Sequence, residues 1–156
     1  MNDILIYTDG AAAPSNPGPG GFAAIIVTPA GERVVSGGFS HTTNNRMELY
    51  AAIAVIETLP LGTSATIVSD SNYLVSGHNV WVPKWKLKGW RGSKGPVENR
   101  DLWERLIAGC ADRKITFKWI KRESAPLNIK ADAIANEATT RGDLPVDEGY
   151  LRRLAA

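Results

Sequence analysis

At residue 45 the hydrophobic pattern changes period, and this change limits the fold more than any other feature of the chain. Before it, residues 3–9 (D-I-L-I-Y-T-D), 21–28 (G-F-A-A-I-I-V-T) and 33–39 (R-V-V-S-G-G-F) read as strands. Pro29-Ala30-Gly31 reads as the turn that joins the last two into a hairpin. After it, Leu49, Ala52, Ile53, Ile56 and Leu59 fall at helical spacing over 45–59, and Pro60 with Gly62 stops the run. A strand meander followed by a helix and then by the apolar stretch 65–69 (A-T-I-V-S) predicts a helical crossover into a further strand. The fold class is therefore α/β, with a mixed sheet flanked by helices.

The rest of the chain extends that pattern. Asp70-Ser71-Asn72 are residues that open helices, which places a strand-to-helix junction at Asp70. Pro83, Gly89, Gly92, Gly95 and Pro96 break up residues 81–98, predicting a short helix and a loop that project from the body. A helix is expected over 99–110, with Leu102, Trp103, Leu106 and Ile107 on one side, then an alternating strand over 114–121 and a last helix over 127–141. Residues 1–141 are expected to form one domain, and 142–156, with Gly142 and Pro145, a loosely held tail. Hydrophobic residues at 44% and charged residues at 22% suit a packed core and exclude a disordered chain. The apolar run Ile4–Tyr7 is too short for a signal-peptide core or a membrane span, so a cytoplasmic location is expected. Cys110 is the single cysteine, which excludes an internal disulfide and a multi-cysteine zinc site.

The net charge of +2 hides a strong asymmetry. Residues 1–80 hold six acidic and two basic side chains, whereas residues 81–100 hold six basic and one acidic. That basic stretch also contains Trp81, Trp85 and Trp90 of the five tryptophans. A basic segment inside an otherwise slightly acidic chain points to a polyanion as its partner.

Four acids stand where strands end or helices begin: Asp9 in T-D-G, Glu48 in N-N-R-M-E-L, Asp70 in S-D-S and Asp132 in K-A-D-A-I-A. If the first and fourth strands are parallel neighbours, Asp9 and Asp70 project from one sheet edge, and flanking helices can bring Glu48 and Asp132 to it. Carboxylates gathered in this way need cations, and an all-oxygen donor set selects Mg²⁺ or Mn²⁺. The natural reading is a two-metal phosphodiester site, with ions roughly 3.5–4 Å apart and Asp9 bridging them. Each acid also has a local explanation: Asp9-Gly10 as a turn, Glu48 as the capping-box partner of Asn45, Asp70 as an N-cap, and Asp132 as a charge near a helix N-terminus.

The surrounding motifs decide between these readings. T-D-G at 8–10, N-P-G-P-G-G-F at 16–22, T-T-N-N-R-M-E-L at 42–49, A-A-I at 51–53 and S-D-S at 69–71 occur in order. They are followed by W-x-x-x-W-x-x-x-G-W from Trp81 to Trp90, V-x-N-x-D-L-W at 97–103 and A-D-x-I-A at 131–135. Over residues 3–141 the chain resembles ribonuclease H of the type 1, bacterial kind. The resemblance implies a ribonuclease H-like fold, a five-stranded mixed sheet flanked by helices with a basic helix-loop protrusion. It also implies hydrolysis of the RNA strand in RNA/DNA hybrids, with Asp9, Glu48, Asp70 and Asp132 as the metal-binding catalytic acids. Cleavage leaving 5′-phosphate and 3′-hydroxyl ends follows from the two-metal reading, with two Mg²⁺ ions per site and Mn²⁺ as a substitute. The expected partner is the hybrid duplex, with no membrane, and the chain is expected to be monomeric.

Recognition of the RNA strand falls to Asn16, Asn44 and Asn72, whose amides both donate and accept as a 2′-hydroxyl requires, and to the glycines beside Asn16, which would allow close backbone approach. Thr43 and Asn45 are expected on the DNA strand, together with Lys84, Lys86, Lys88, Arg91 and Trp85 of the basic stretch; there the cations bind and the tryptophans chiefly pack. One departure stands out. The family usually carries a histidine in a G-H-x-G loop before the last helix, whereas this loop reads Lys121-Arg122-Glu123-Ser124-Ala125-Pro126-Leu127 and is about a residue shorter. Glu123 stands where the histidine would align, as a possible auxiliary group, and Ile129 replaces a frequent acid after Asn128. An extra residue also lies between Asp9 and Asn16. Two rival readings remain: a hybrid- or double-stranded-RNA-binding module with weakened or lost nuclease activity, and a nuclease of the same fold acting on DNA.

Overall fold

The computed structural model describes residues 4–155, so residue 3 of the first predicted strand and residue 156 of the tail lie outside the described residues. Strands β1 (Ile4–Ala12), β2 (Gly18–Thr28) and β3 (Gly31–Thr42) form the antiparallel meander. Helix α1 (Asn44–Ile56) then crosses to β4 (Ser64–Ser69), which lies parallel to β1. Next come α2 (Asn72–Ser76), a wide π-type turn at Gly77–Trp81, α3 (Val82–Leu87), and the two-residue strands β5 (Arg91–Gly92) and β6 (Gly95–Pro96). Helix α4 (Arg100–Ala111) leads into β7 (Lys114–Trp119), parallel to β4, and α5 (Pro126–Ala138) and α6 (Glu148–Ala155) complete the chain. The main sheet has five strands in the order β3-β2-β1-β4-β7, the mixed α/β architecture expected from the change of period. Among the described residues, no helix is long and apolar enough to cross a membrane.

Strand alternation divides the core between the two faces of the sheet. Ile6, Ala24, Ile26 and Ile67 are buried with Leu49, Ala52, Ile53 and Ile56 of α1 and with Trp103 and Leu106 of α4. Ala11 and Ala23 meet Ala135 of α5. Each large apolar side chain so buried contributes roughly 1.5–3 kcal/mol. Two glycines set the spacing. A Cβ at Gly10 would overlap the backbone of Met47 and Glu48, and one at Gly21 would overlap the carbonyl oxygen of Ala135. Bare backbone at these positions lets α1 lie directly on β1, and α5 on β2.

The tail departs from its expected looseness. Asp147 accepts hydrogen bonds from Arg46 Nε at 2.8 Å, from Arg46 Nη2 at 2.9 Å and from Thr42 Oγ1 at 2.6 Å. Tyr150 is buried, and Arg153 Nη1 donates to Asn99 Oδ1 at 3.2 Å. Arg46, 2% exposed, also makes two hydrogen bonds to Asp101, at 2.8 and 2.9 Å. One buried guanidinium thus fastens the tail to the start of α1 and of α4.

The basic segment is anchored as well. Trp85, Trp90 and Val97 pack against the main core, and Trp85 lies 5.8 Å from the ring of Trp103, 6.1 Å from Trp81 and 6.4 Å from Trp90. Its tryptophans act as packing, as expected, and fix the segment's base on the body, while residues 86–89 and 91–94 are exposed.

Candidate active site

The β1–β4 register pairs Ile4 with Ala65 and Tyr7 with Val68. Continued past the last pair, it sets Asp9 opposite Asp70, at the end where β4 stops. Glu48 reaches the same place because Gly10 allows α1 to rest on β1. One carboxylate oxygen from each of Asp9, Glu48 and Asp70 lies within 4.8 Å of the others. They line a cavity of about 510 Å³, to which α5 contributes Asp132 and Asn136.

The local explanations for these acids give way to other residues. Thr43 caps α1, accepting from the backbone N–H of Arg46 at 3.2 Å, so Glu48 lies beyond the first turn and caps nothing. Ser71 caps α2, accepting from the N–H of Leu74 at 3.1 Å, which leaves the Asp70 carboxylate free of that duty. Helix α5 begins at Pro126, too far back for Asp132 to serve its N-terminus.

Asp9 and Glu48 are 3% and 7% exposed. Among the described residues, the buried side-chain oxygens without a hydrogen-bond partner are Asp9 Oδ2, Glu48 Oε1 and the neighbouring Thr8 Oγ1. Burial, a hydrogen bond shared with Asp132, and the charges of Asp70 and Asp132 push the Asp9 carboxyl up to about 8, against a partial offset from the Gly10 N–H. Burial and then the charges of Asp9 and Asp70 raise Glu48 well above the usual carboxylate range. Orphaned, desolvated carboxylate oxygens in this number suit a hard divalent cation, which removes both the repulsion and the missing bonds. The donor set fits such an ion.

The expected substrate contacts fall in two groups. Asn16, Asn44 and Asn72 line the cavity, and Asn16 Oδ1 accepts from the Asn44 N–H at 3.0 Å. Asn45 is exposed beside Thr43. The glycines that follow Asn16 turn inward: Gly18 and Gly20 are buried, and a Cβ at Gly20 would strike Thr42 and Met47. Internal packing accounts for them, where the sequence suggested an approach to a groove. Lys84, Lys86, Lys88, Arg91 and Lys94 are exposed and, among the described residues, have no carboxylate within 4.0 Å. Arg100 is engaged, 3.4 Å from Glu104 and 5.4 Å over the ring of Trp90.

The loop before α5 is arranged differently from its sequence reading. Glu123 has a left-handed backbone, φ +57°, its side chain is 70% exposed, and it does not line the cavity. Arg122 does. Sequence reasoning also passed over Tyr73, which stands between the cavity and Trp81, and Asn136, whose Nδ2 donates to Asp132 Oδ1 at 3.3 Å. Asn136 could have been found one helical turn after Asp132; nothing local marks Arg122. Neither histidine lines the cavity: the ring of His41 lies 5.5 Å from that of Tyr150, and that of His78 4.2 Å from that of Phe117.

Comparison with known proteins agrees with this architecture. Residues 1–140 match the family model described as RNase H. The chain is 43% identical over 153 residues to "Ribonuclease H" of Syntrophus aciditrophicus, covering 96% of this chain and 88% of that one. It is 46% identical over 138 residues to "Ribonuclease H" of Alcanivorax borkumensis, covering 87% and 91%. Among solved structures it is similar to LC9-RNase H1, described as a type 1 RNase H with the type 2 active-site motif, with a TM-score of 0.80, 25% identity, and coverage of 100% of this chain and 82% of that chain. LC11-RNase H1, solved in complex with an RNA/DNA hybrid, gives 0.67 at 27% identity, covering 87% and 96%. On the strength of sequence, fold and acidic centre together, the chain belongs to the ribonuclease H family of endonucleases.

Proposed function

We propose that the acidic cavity hydrolyses the RNA strand of RNA/DNA hybrids, using divalent cations held by Asp9, Glu48, Asp70 and Asp132. The observation that carries this reading is the pair of buried, unpartnered carboxylate oxygens on Asp9 and Glu48, converging with Asp70. Two Mg²⁺ ions bound to such a set supply an activated water and neutralise charge on the attacking and leaving oxygens, giving 5′-phosphate and 3′-hydroxyl ends; Mn²⁺ has the same ligand preference. The chain's own residues prepare that chemistry. Asp9 and Glu48 must shed the protons that burial favours, so cation binding releases protons and activity rises with pH toward about 8.

Asn16, Asn44 and Asn72 on the cavity wall offer donors and acceptors to a 2′-hydroxyl, which distinguishes RNA from DNA. Thr43 and Asn45 at the start of α1 and the exposed Lys84, Lys86, Lys88 and Arg91, carried beside half-buried Trp85, take the phosphates of the DNA strand. Binding of a hybrid by LC11-RNase H1 supports that choice of substrate. The test is incubation of labelled hybrid with Mg²⁺, alongside duplex DNA, duplex RNA and single strands, with the product ends identified. Selective loss of the RNA strand is expected. Tight hybrid binding without cleavage would reduce the protein to a binding module, and cleavage of duplex DNA would change its substrate.

A further inference from the structure

Among the residues lining the acidic cavity, Arg122 is the single cation, facing a wall that carries Asp9, Glu48, Asp70 and Asp132. It forms no ion pair within 4.0 Å with any of these acids; among the described residues its one pairing is with Glu123, at 3.9 Å. Both partners are largely exposed, Arg122 at 74%. Three other arginines have spent their donors: Arg46 on Asp101 and Asp147, Arg105 on Glu57, and Arg113 on the carbonyls of Leu59 and Gly109. The guanidinium fork of Arg122 is uncommitted.

The loop that carries it is nevertheless held. The backbone N–H of Glu123 donates to Asn128 Oδ1 at 2.7 Å, and Asn128 Nδ2 donates to Asp70 Oδ2 at 3.3 Å. Asn128 is 2% exposed, so one buried amide ties the loop to an acid of the cluster. Ser124 closes the turn onto the carbonyl of Lys121. At this place the G-H-x-G pattern has its first glycine, where this sequence has a guanidinium.

An arginine beside a cation-binding centre weakens cation binding by repulsion unless an anion arrives with the cations. A guanidinium matches the paired oxygens of a phosphate in a bidentate geometry that ammonium lacks. We propose that Arg122 is a substrate-positioning residue: it grips a backbone phosphate of the strand seated in the acidic cavity, and Asn128 holds the loop at the reach this requires. The inference rests on the hybrid-cleaving reading above and adds to it a contact on the cleaved strand, opposite the basic segment's contacts in role.

The test uses the full chain, Arg122→Ala and Arg122→Lys. Affinity for an RNA/DNA hybrid is measured in EDTA over a range of salt, and KM and kcat in Mg²⁺. Arg122→Ala is expected to weaken metal-free binding about tenfold and to reduce the slope of log K against log salt by about 0.7–0.9, the share of one phosphate contact. Arg122→Lys should recover the slope and only part of the affinity, with thermal unfolding unchanged in both variants. An unchanged slope and affinity in Arg122→Ala, while the wild type cleaves the hybrid, overturns the role of Arg122 alone. A wild type that binds the hybrid but leaves the RNA intact overturns the parent reading, and the salt slopes still report on Arg122.

Discussion

Arg46 and Glu48 stand two residues apart on α1 and serve opposite electrostatic arrangements. On the Arg46 side, Asp101 and Asp147 are answered by a buried guanidinium and, despite burial, are held below the usual carboxylate range by its hydrogen bonds and charge. On the Glu48 side, burial and the neighbouring acids push Asp9 and Glu48 upward, offset only in part by the Gly10 N–H. The same helix thus carries one saturated charge cluster and one unsaturated cluster. A fold needs only the first. The second costs stability, and costs of that kind gather where a ligand is meant to complete the set.

Removing the central acid breaks the comparison most severely. Asp9→Asn should lower hybrid cleavage on the order of 10³-fold or more, as measured with labelled substrate in Mg²⁺. The same change should raise the stability of the cation-free protein by about 1–2 kcal/mol in urea unfolding, because it relieves the repulsion. Arg46→Ala should act in the opposite sense. It strands Asp147 without its partner and should cost about 3–5 kcal/mol, read as a lowered unfolding midpoint.

The pH profile separates the two clusters by sign. The folded protein binds a proton at Asp9 up to about pH 8, whereas the unfolded chain releases it near 3.8. The native state therefore holds the extra proton through that window, and cation-free stability should fall as pH rises from about 4 to about 8, with Glu48 acting in the same direction. Asp101 and Asp147 are depressed, so their contribution is present above about pH 4 and is lost as pH falls through their lower folded values. Urea titrations in EDTA should show both limbs. Mg²⁺ and Asp9→Asn should each flatten the upper limb and leave the lower one in place.

Exposed charge gives the smaller effects. Replacing Lys84, Lys86 and Lys88 together by alanine should reduce the salt slope of hybrid binding by about 2–3 without changing the unfolding midpoint. Glu123→His should alter turnover slightly more than binding; identical rates for wild type, Glu123→His and Glu123→Ala would make the position a spectator, as its outward side chain suggests.

Much of the fold was legible in the sequence because it is written in local period. The strands, α1 and α4 lie within a few residues of their expected limits, with β2 and β3 running longer at the end near Asn16, where they pair across a bulge. The acids were legible through the motifs around them; of the four only Asp70 stands at an element end, since β1 runs past Asp9 to Ala12 and Glu48 and Asp132 lie inside their helices. The tail was not. Its hold on the body depends on Asp147 meeting Arg46 across 101 residues, and an ion pair leaves no periodic trace in either segment. The loop before α5 misled in a similar way: alignment pointed to Glu123, but its φ of +57° accompanies an outward side chain, and Arg122 lines the cavity.

By itself, then, the amino-acid sequence determined the mixed sheet, its crossover and the set of acids available to its edge, because alternation, helical spacing and strand-end motifs act over a few residues. Tertiary structure alone decided which acids lost their water, which charges were neutralised and which side chain of the last loop faced the site. Those outcomes depend on burial and on partners brought together from distant parts of the chain, and desolvation turns a modest interaction in water into the dominant force at Asp9 and Glu48.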